Sequence, residues 1–527
     1  MTDSTLFVGG RVFTGERFCD ALLVENGEVL VTGSEAEARR AAPTGVERHQ
    51  LRGTLVLPGL IDAHIHLADV TRYREGLRLG GVTSVATLID TVRRWAVDHP
   101  ARSVVGRGWD PERSPGRAWP TRQDLDRAVA DRPAVVLHVS GHAGVANSAA
   151  FAAAGIDRST PDPPGGRLGR EGDGTPDGRV FERALSGLVG RPPGLDLPEP
   201  AALLRTIRWV ATFGLTTLGA MSAAPEEALA LRDLSRAEAF PGRVRVYLHG
   251  NRWKEYLRVA RGPERSPGRF AVVGVKAYTD GAFGTRTAWL SDPYADDPGN
   301  VGMAVAADGP LRTLLRATSK RALAPALHAI GDRAIAYSLE MLERLPPAAG
   351  PRARIEHAAL TPPELFGPLA RVRPALVVQP GFVWSDHWLR RRLGAARVRW
   401  AYAFRTLLRQ GHLVVGSSDA PYDPVDPWRG IRAAVQRTDP DGRSANATPR
   451  ESLGPEEAIR LYTASAGVAL GEPALGRLVP GSPADLVLLG AGSLKRAVEA
   501  GSAAVRETWV AGVCVARGPG PPDAKTV

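Results

Sequence analysis

Cysteine is almost absent from this chain. Cys19 and Cys514 are its only two, too few for a disulfide framework, and neither sits in a metal-ligand spacing. Long apolar runs are missing as well: no stretch of about 18 residues is apolar enough to span a bilayer. The start, Met1-Thr2-Asp3-Ser4, lacks a basic segment followed by an apolar one, so no secretory leader is expected and the expected location is cytoplasmic. Lysine is scarce too. Of the 67 basic residues only Lys254, Lys276, Lys320, Lys495 and Lys525 are lysines. Where arginine serves as the general cation, a lysine inside an apolar run stands out, because lysine can lose its proton and arginine cannot.

The net charge of +11 raises the question of a polyanionic partner. The arginines are spread along the chain and interleaved with acids. The densest run, Arg390-Arg391-Arg392, is too short to form a binding stripe, so neither nucleic acid nor membrane is expected as a partner. At 527 residues, 43% hydrophobic and 23% charged, the chain can bury a large core and exceeds a usual single barrel.

Residues 5–56 and 475–516 read as short strands separated by glycine turns, which predicts a small composite β-sandwich built from both ends, over 1–56 and 471–527. Between them, residues 57–470 alternate apolar strands with helical segments, an α/β pattern. Eight strands can be placed: Leu55 to His66, Leu215 to Met221, Arg243 to His249, Val272 to Tyr278, Leu323 to His328, Ala353 to His357, Ala375 to Gln379 and Leu413 to Ser418. Eight is the number a closed TIM-type (β/α)8 barrel needs. The first connection is far too long for a βα loop, so residues of about 69–210 form an insertion. Within it Pro161 to Gly178 reads as a loop or lid, and Gly518 to Val527 reads as a disordered tail.

Chemistry-bearing residues cluster at these strand ends. In Ile61-Asp62-Ala63-His64-Ile65-His66 the i, i+2 spacing turns two imidazoles to one face of a strand, a grip for a divalent metal. Asp62 shares that face and is expected to orient a ligand by hydrogen bonding. Lys276 lies in Val272-Val273-Gly274-Val275-Lys276-Ala277-Tyr278, where an unpaired ammonium would be costly to bury. Three solutions stand open: a lowered pKa, conversion to a carbamate by carbon dioxide, or an ion pair with Asp280 or another nearby carboxylate. His328 and His357 each end an apolar run and read as ligands or packed histidines. Asp419 is either a carboxylate beside a metal-bound water, able to move its proton, or the N-cap of a helix. His142 and Trp109 in the insertion, together with Arg286 and Asp280 after the Lys276 strand, are the candidate substrate contacts; Arg286 reads equally as structural. His249 ends the third strand and is a further candidate for lining the site.

These motifs together resemble the amidohydrolase superfamily. Pro58 to His66 looks like its first-strand signature. Lys276 to Ala288, His328 to Asp332, Arg354 to His357, Ser417 to Pro421 and Pro483 to Val487 are similar to the YtcJ-like branch, which includes N-substituted formamide deformylase. Gly106 to Asp110 and His142 to Ala150 are similar to that branch's extra segment. One departure is Ala282-Phe283, where small residues usually follow Asp-Gly. The resemblance implies a barrel with a composite sandwich and metal-dependent hydrolysis of an amide-type C–N bond, N-formyl or cyclic amides included. His64, His66, Lys276, His328, His357 and Asp419 would form the metal shell around one or two divalent ions, zinc being expected. Lys276 would be carbamylated, and Asp419, Lys276 and His357 would be the catalytic group. Deamination, or ester or lactone hydrolysis, by the same site is the alternative chemistry; a non-catalytic binding or regulatory protein on the same scaffold is the alternative class. The expected partner is a small-molecule substrate, and exposed sandwich edges suggest a homodimer.

Overall fold

The computed structural model describes residues 4–185, 197–236, 240–260, 268–345, 353–438 and 448–518. The tail expected from Gly518 onward falls, from residue 519, outside them.

Eight parallel strands pair in sequence order, so each lies beside its chain neighbour. They are Leu60–Ile65, Leu215–Ala223, Arg243–His249, Phe270–Tyr278, Ala324–Ala329, Arg354–His357, Ala375–Val378 and Leu413–Gly416. Helices such as Asp308–Ser319, Asp332–Glu343 and Pro427–Gln436 connect or flank them. Such strands are buried on both faces, which is why they read as unbroken apolar runs rather than alternating ones. Ile61, Ala63, Met221, Tyr247, Ala326, Ala375, Val377 and Val415 belong to one packed cluster inside this sheet, the filled interior of a TIM-type barrel. The last strand meets the first beyond its own end, where Asp419 N–H donates to the His64 carbonyl at 2.9 Å. Asp62 reinforces that closure. Its carboxylate accepts from Ser418 N–H at 3.0 Å, from Ser418 Oγ–H at 2.5 Å and from the His64 N–H at 3.1 Å. Asp62 therefore ties the two strand ends together and bonds no imidazole.

The run expected as one strand from Leu55 to His66 is two. Leu55–Pro58 pairs antiparallel with Leu486–Leu489 in a terminal sheet, and Leu60–Ile65 enters the barrel. Gly59 joins them where a Cβ would come within 2.3 Å of the Thr216 hydroxyl oxygen. The terminal β-region has a four-stranded sheet from residues 4–50 and a six-stranded sheet that takes strands from both ends of the chain. Phe7, Val12, Leu22, Val56, Leu486 and Leu488 share its core.

The insertion builds its own six-stranded sheet from Leu77–Arg78, Val104–Trp109, Ala134–His138, Ala143–Ala146, Gly166–Arg170 and Pro176–Glu182. Pro161 to Gly178 is thus not a free loop. Most of it is a hairpin, because Arg167, Leu168 and Arg170 pair with Phe181, Val180 and Pro176. An ionic knot fastens the insertion to the barrel mouth: Arg391 and Arg392 reach Glu112 at 2.5 and 2.7 Å, and Arg392 also pairs with Asp296. Among the described residues no helix is long and apolar enough to cross a membrane.

Candidate metal centre

Parallel strands end on one face of the barrel, so residues far apart in sequence meet there. Asp419 Oδ1 stands 3.1 Å from His64 Nε2 and 3.3 Å from His66 Nε2. Lys276 Nζ is 3.4 Å from His64 Nε2. One donor atom each from His64, His357 and Asp419 lies within 4.8 Å of the others. The His328 ring centroid is 4.4 Å from that of His357. All six expected ligands gather in one buried cluster.

The hydrogen bonds behind the cluster decide which nitrogens are free. Arg354 grips Glu356 through bonds of 2.7 and 2.9 Å, and His64 Nδ1 lies 2.6 Å from Oε2, the oxygen it shares with Arg354 Nη2. Burial pushes the Glu356 carboxyl up, but Arg354, His64 and Lys276 outweigh it and hold it well below the usual range. An ionised Glu356 only accepts, so His64 Nδ1 carries the proton and Nε2 a lone pair. That lone pair faces Asp419. Two acceptors 3.1 Å apart repel unless a cation or an added proton lies between them. Asp419 Oδ1 is buried without a hydrogen-bond partner. Imidazole nitrogens and a carboxylate oxygen around such a gap fit a divalent transition ion.

His357 and Asp419 both hold left-handed backbone, with φ of 74° and 59°. Non-glycine residues adopt this region at a cost, and such strain concentrates where side chains must be aimed. Burial brings Lys276 down to about 8, with Glu356 and Asp419 holding back part of the fall. It pairs with the cluster, not with Asp280. Asp280 accepts three backbone N–H groups, from Trp289, Ile330 and Gly331, at 2.8–3.0 Å. Asp280 thus braces the loops after the fourth and fifth strands and stands 3.5 Å from His328 Nε2. His328 Nε2–H donates to the Gly281 carbonyl at 3.0 Å, which leaves Nδ1 as its free nitrogen.

Of the other candidates, His142 reaches the cluster. Its ring centroid is 4.9 Å from that of His328, and its Nδ1 is 2.8 Å from Glu182 Oε2. Burial would lower its pKa, but the Glu182 carboxylate outweighs burial and the net shift is upward. Trp109 does not reach the site. It is fully buried in the insertion's own core, edge-on to Trp119, because its strand turns that side chain inward. The Arg286 guanidinium is engaged by Asp296 at 3.0 Å. Beside the cluster opens a cavity of about 420 Å3, lined among others by His66, Met221, Ser222, His249, Tyr278 and Tyr422. Sequence reasoning missed Glu356, Arg354, Gln379, Glu182 and Tyr422. An Arg-x-Glu pair on one face of a buried strand was the available signal for the first two; the others become visible only in space.

The amidohydrolase family model matches residues 50–516. The putative amidohydrolase YtcJ of Bacillus subtilis is 34% identical over 91% of this chain and 93% of its own length. N-substituted formamide deformylase of Arthrobacter pascens is 26% identical, covering 89% of each chain. The solved structure of an uncharacterized metal-dependent hydrolase from Pyrococcus horikoshii has a TM-score of 0.76 at 27% identity, covering 93% of this chain and 97% of that one. With the match running over residues 50–516, the barrel and every ligand-bearing strand end included, this chain belongs to the amidohydrolase family of hydrolases.

Proposed function

We propose that the protein hydrolyses an amide-type C–N bond of a small polar substrate, N-formyl or cyclic amides included, at a divalent metal centre held by His64, His66, Lys276, His328, His357 and Asp419. The observation that carries this reading is the partnerless Asp419 Oδ1 facing the lone pair of His64 Nε2. A divalent ion, zinc by preference for this donor set, supplies a Lewis acid that polarises the carbonyl and acidifies water. The chain's own residues do the rest. Asp419 takes the proton of the attacking water and hands it to the departing nitrogen, which leaves poorly unless protonated. Glu356 and Gln379 hold His64 and His357 in register. His142, fixed through Nδ1 by Glu182, offers its other nitrogen to the substrate from the insertion side. The cavity of about 420 Å3 beside His66 receives the remainder of the molecule, among the hydroxyls of Ser222, Tyr278 and Tyr422.

Lys276 is the proposed second anionic ligand. With a pKa near 8, about a tenth of it is neutral at pH 7. The neutral amine adds to carbon dioxide and releases one proton, giving a carbamate. The test is metal analysis of the purified protein followed by a panel of N-formyl amines, cyclic amides, aminopurines and lactones. Turnover of the amides with bound metal supports the reading. Absence of bound transition metal after reconstitution removes it, and exclusive turnover of aminopurines or lactones replaces it with deamination or ester-type hydrolysis.

A further inference from the structure

His357 is backed by a neutral amide, unlike His64, and the direction of that support is fixed two bonds away. Ser417 Oγ–H donates to the Val378 carbonyl at 3.0 Å. A hydroxyl has one proton, so toward Gln379 Ser417 can only accept. The Gln379 Nε2–H donates to it at 3.0 Å. The amide's other end, Oε1, is then turned to His357 Nδ1 at 2.8 Å and must accept its proton. Nε2 of His357 is left with the lone pair. Were the amide reversed, its NH2 would face Nδ1, the imidazole would carry its proton on Nε2, and His357 could not ligate. His357, Gln379 and Ser417 are all buried.

We infer that Gln379, oriented by Ser417, is the positioning residue that selects the metal-binding tautomer of His357. The inference rests on the metal-centre reading. It also makes the two backed imidazoles unequal: a carboxylate stands behind His64 and a neutral amide behind His357. Gln379→Met keeps the side chain's length and removes its polar ends. Gln379→Glu keeps an acceptor on Nδ1 and adds charge, and Ser417 can turn its proton toward it.

The test measures zinc affinity of the full-length protein by competition with a chelator, with circular dichroism as the folding control. Loss of about 10–100-fold is expected in Gln379→Met, and affinity at or above that of the parent protein in Gln379→Glu. A merely structural role would not be rescued by the charged variant. Parent-like affinity in Gln379→Met, or equal weakness in both variants, overturns the inference. Should Gln379→Met fail to fold, Ser417→Ala takes its place. It frees the amide to reverse, so a measurable loss of affinity is expected and none overturns the inference. Failure of the parent protein to bind zinc is a different result: it removes the metal-centre reading, and this inference with it.

Discussion

Replacing Glu356 by glutamine is the sharpest perturbation of the scaffold behind the site. The carboxylate serves two masters: Arg354, through a bidentate pair at 2.7 and 2.9 Å, and His64 Nδ1 at 2.6 Å. Arg354 and Glu356 have no solvent exposure, and Arg354 also donates to the Ala63 carbonyl at 2.8 Å. A glutamine amide that sets its oxygen at the Oε2 position keeps His64 and one Arg354 N–H, but its NH2 then confronts the Arg354 Nε–H. Breaking a buried pair by removing one charge costs about 3–5 kcal/mol, because the other charge stays uncompensated. That is a large share of a stability of about 5–15 kcal/mol. Replacing both, as Arg354→Met with Glu356→Leu, removes the buried charges together and is expected to recover part of that loss, falling short by the cost, about 1–3 kcal/mol, of the unpaired His64 Nδ1–H. The double variant also loses the His64 partner and with it about 10–100-fold in metal affinity, whereas Glu356→Gln keeps an acceptor for His64 Nδ1. Urea unfolding of the metal-free proteins reads the first quantity and chelator competition the second. Glu356 titrates low in the folded protein, so its stabilisation is present above about pH 4.5 and is lost only as pH falls through the lower folded value. Measurement near pH 7 therefore sees all of it. Glu356→Gln as stable as the parent, or a double variant with undiminished metal affinity, refutes the reasoning.

Asp419→Asn is expected to keep metal while turnover falls about 10²–10⁴-fold, because the amide cannot carry the proton; full turnover would take Asp419 out of the mechanism. Gly281→Ala places a Cβ 2.1 Å from Thr287 Oγ1 and 2.2 Å from Glu182 Oε1, parting the bond that joins the insertion to the loop after the fourth strand. A loss of about 1–3 kcal/mol follows, read by unfolding, and parent-like stability would contradict it. His142 has a raised pKa, so its pair with Glu182 contributes fully below about pH 6.5 and fades as pH rises through the folded value. The stability gap between parent and Glu182→Gln should shrink over that rise, and a gap that widens with pH would reverse the sign. Lys276→Met should hold at most one metal ion per chain by elemental analysis, and two ions would show that a second site needs no anion from Lys276.

Much of this was legible in the sequence because of how parallel strands are built. Each ligand ends an apolar run, and the run announces itself without any partner in view. His64 and His66 carry the two-residue period in their own spacing. The break at Pro58-Gly59 was legible in principle, since a proline lacks the N–H that a central strand needs, but the apolar character on either side masks it. Gly59 is required there by Thr216, which lies some 150 residues away. Trp109 misled for a related reason. Its neighbours resemble a motif, but which face of the strand turns inward is set by Trp119 and the rest of the insertion's core. Pro161 to Gly178 is rich in turn formers, yet the residues between them pair with 176–182. Asp62, Glu356, Gln379 and Glu182 orient groups instead of contributing them to the cluster, so no spacing reveals them; only the hydrogen-bond directions do.

Those directions also constrain how many ions the site can hold. Among the described residues Asp419 is the one carboxylate grouped with His64 and His357; Asp280 is taken up by three backbone N–H groups, and Glu356 is engaged by Arg354 and His64 and contributes charge only at second hand. The Gly281 carbonyl and the Gln379 amide back His328 and His357, and neither adds charge. One divalent ion beside Asp419, His64 and His66 is therefore reasonably compensated, whereas a second beside His328 and His357 would face neutral donors only. Converting the Lys276 amine to a carbamate changes the local charge from positive or neutral to negative at that position. On the proposed reading the low-lying Lys276 pKa and the neutral backing of two histidines are parts of one arrangement: a first ion would need the folded protein alone, and a second would also need a chemically altered Lys276.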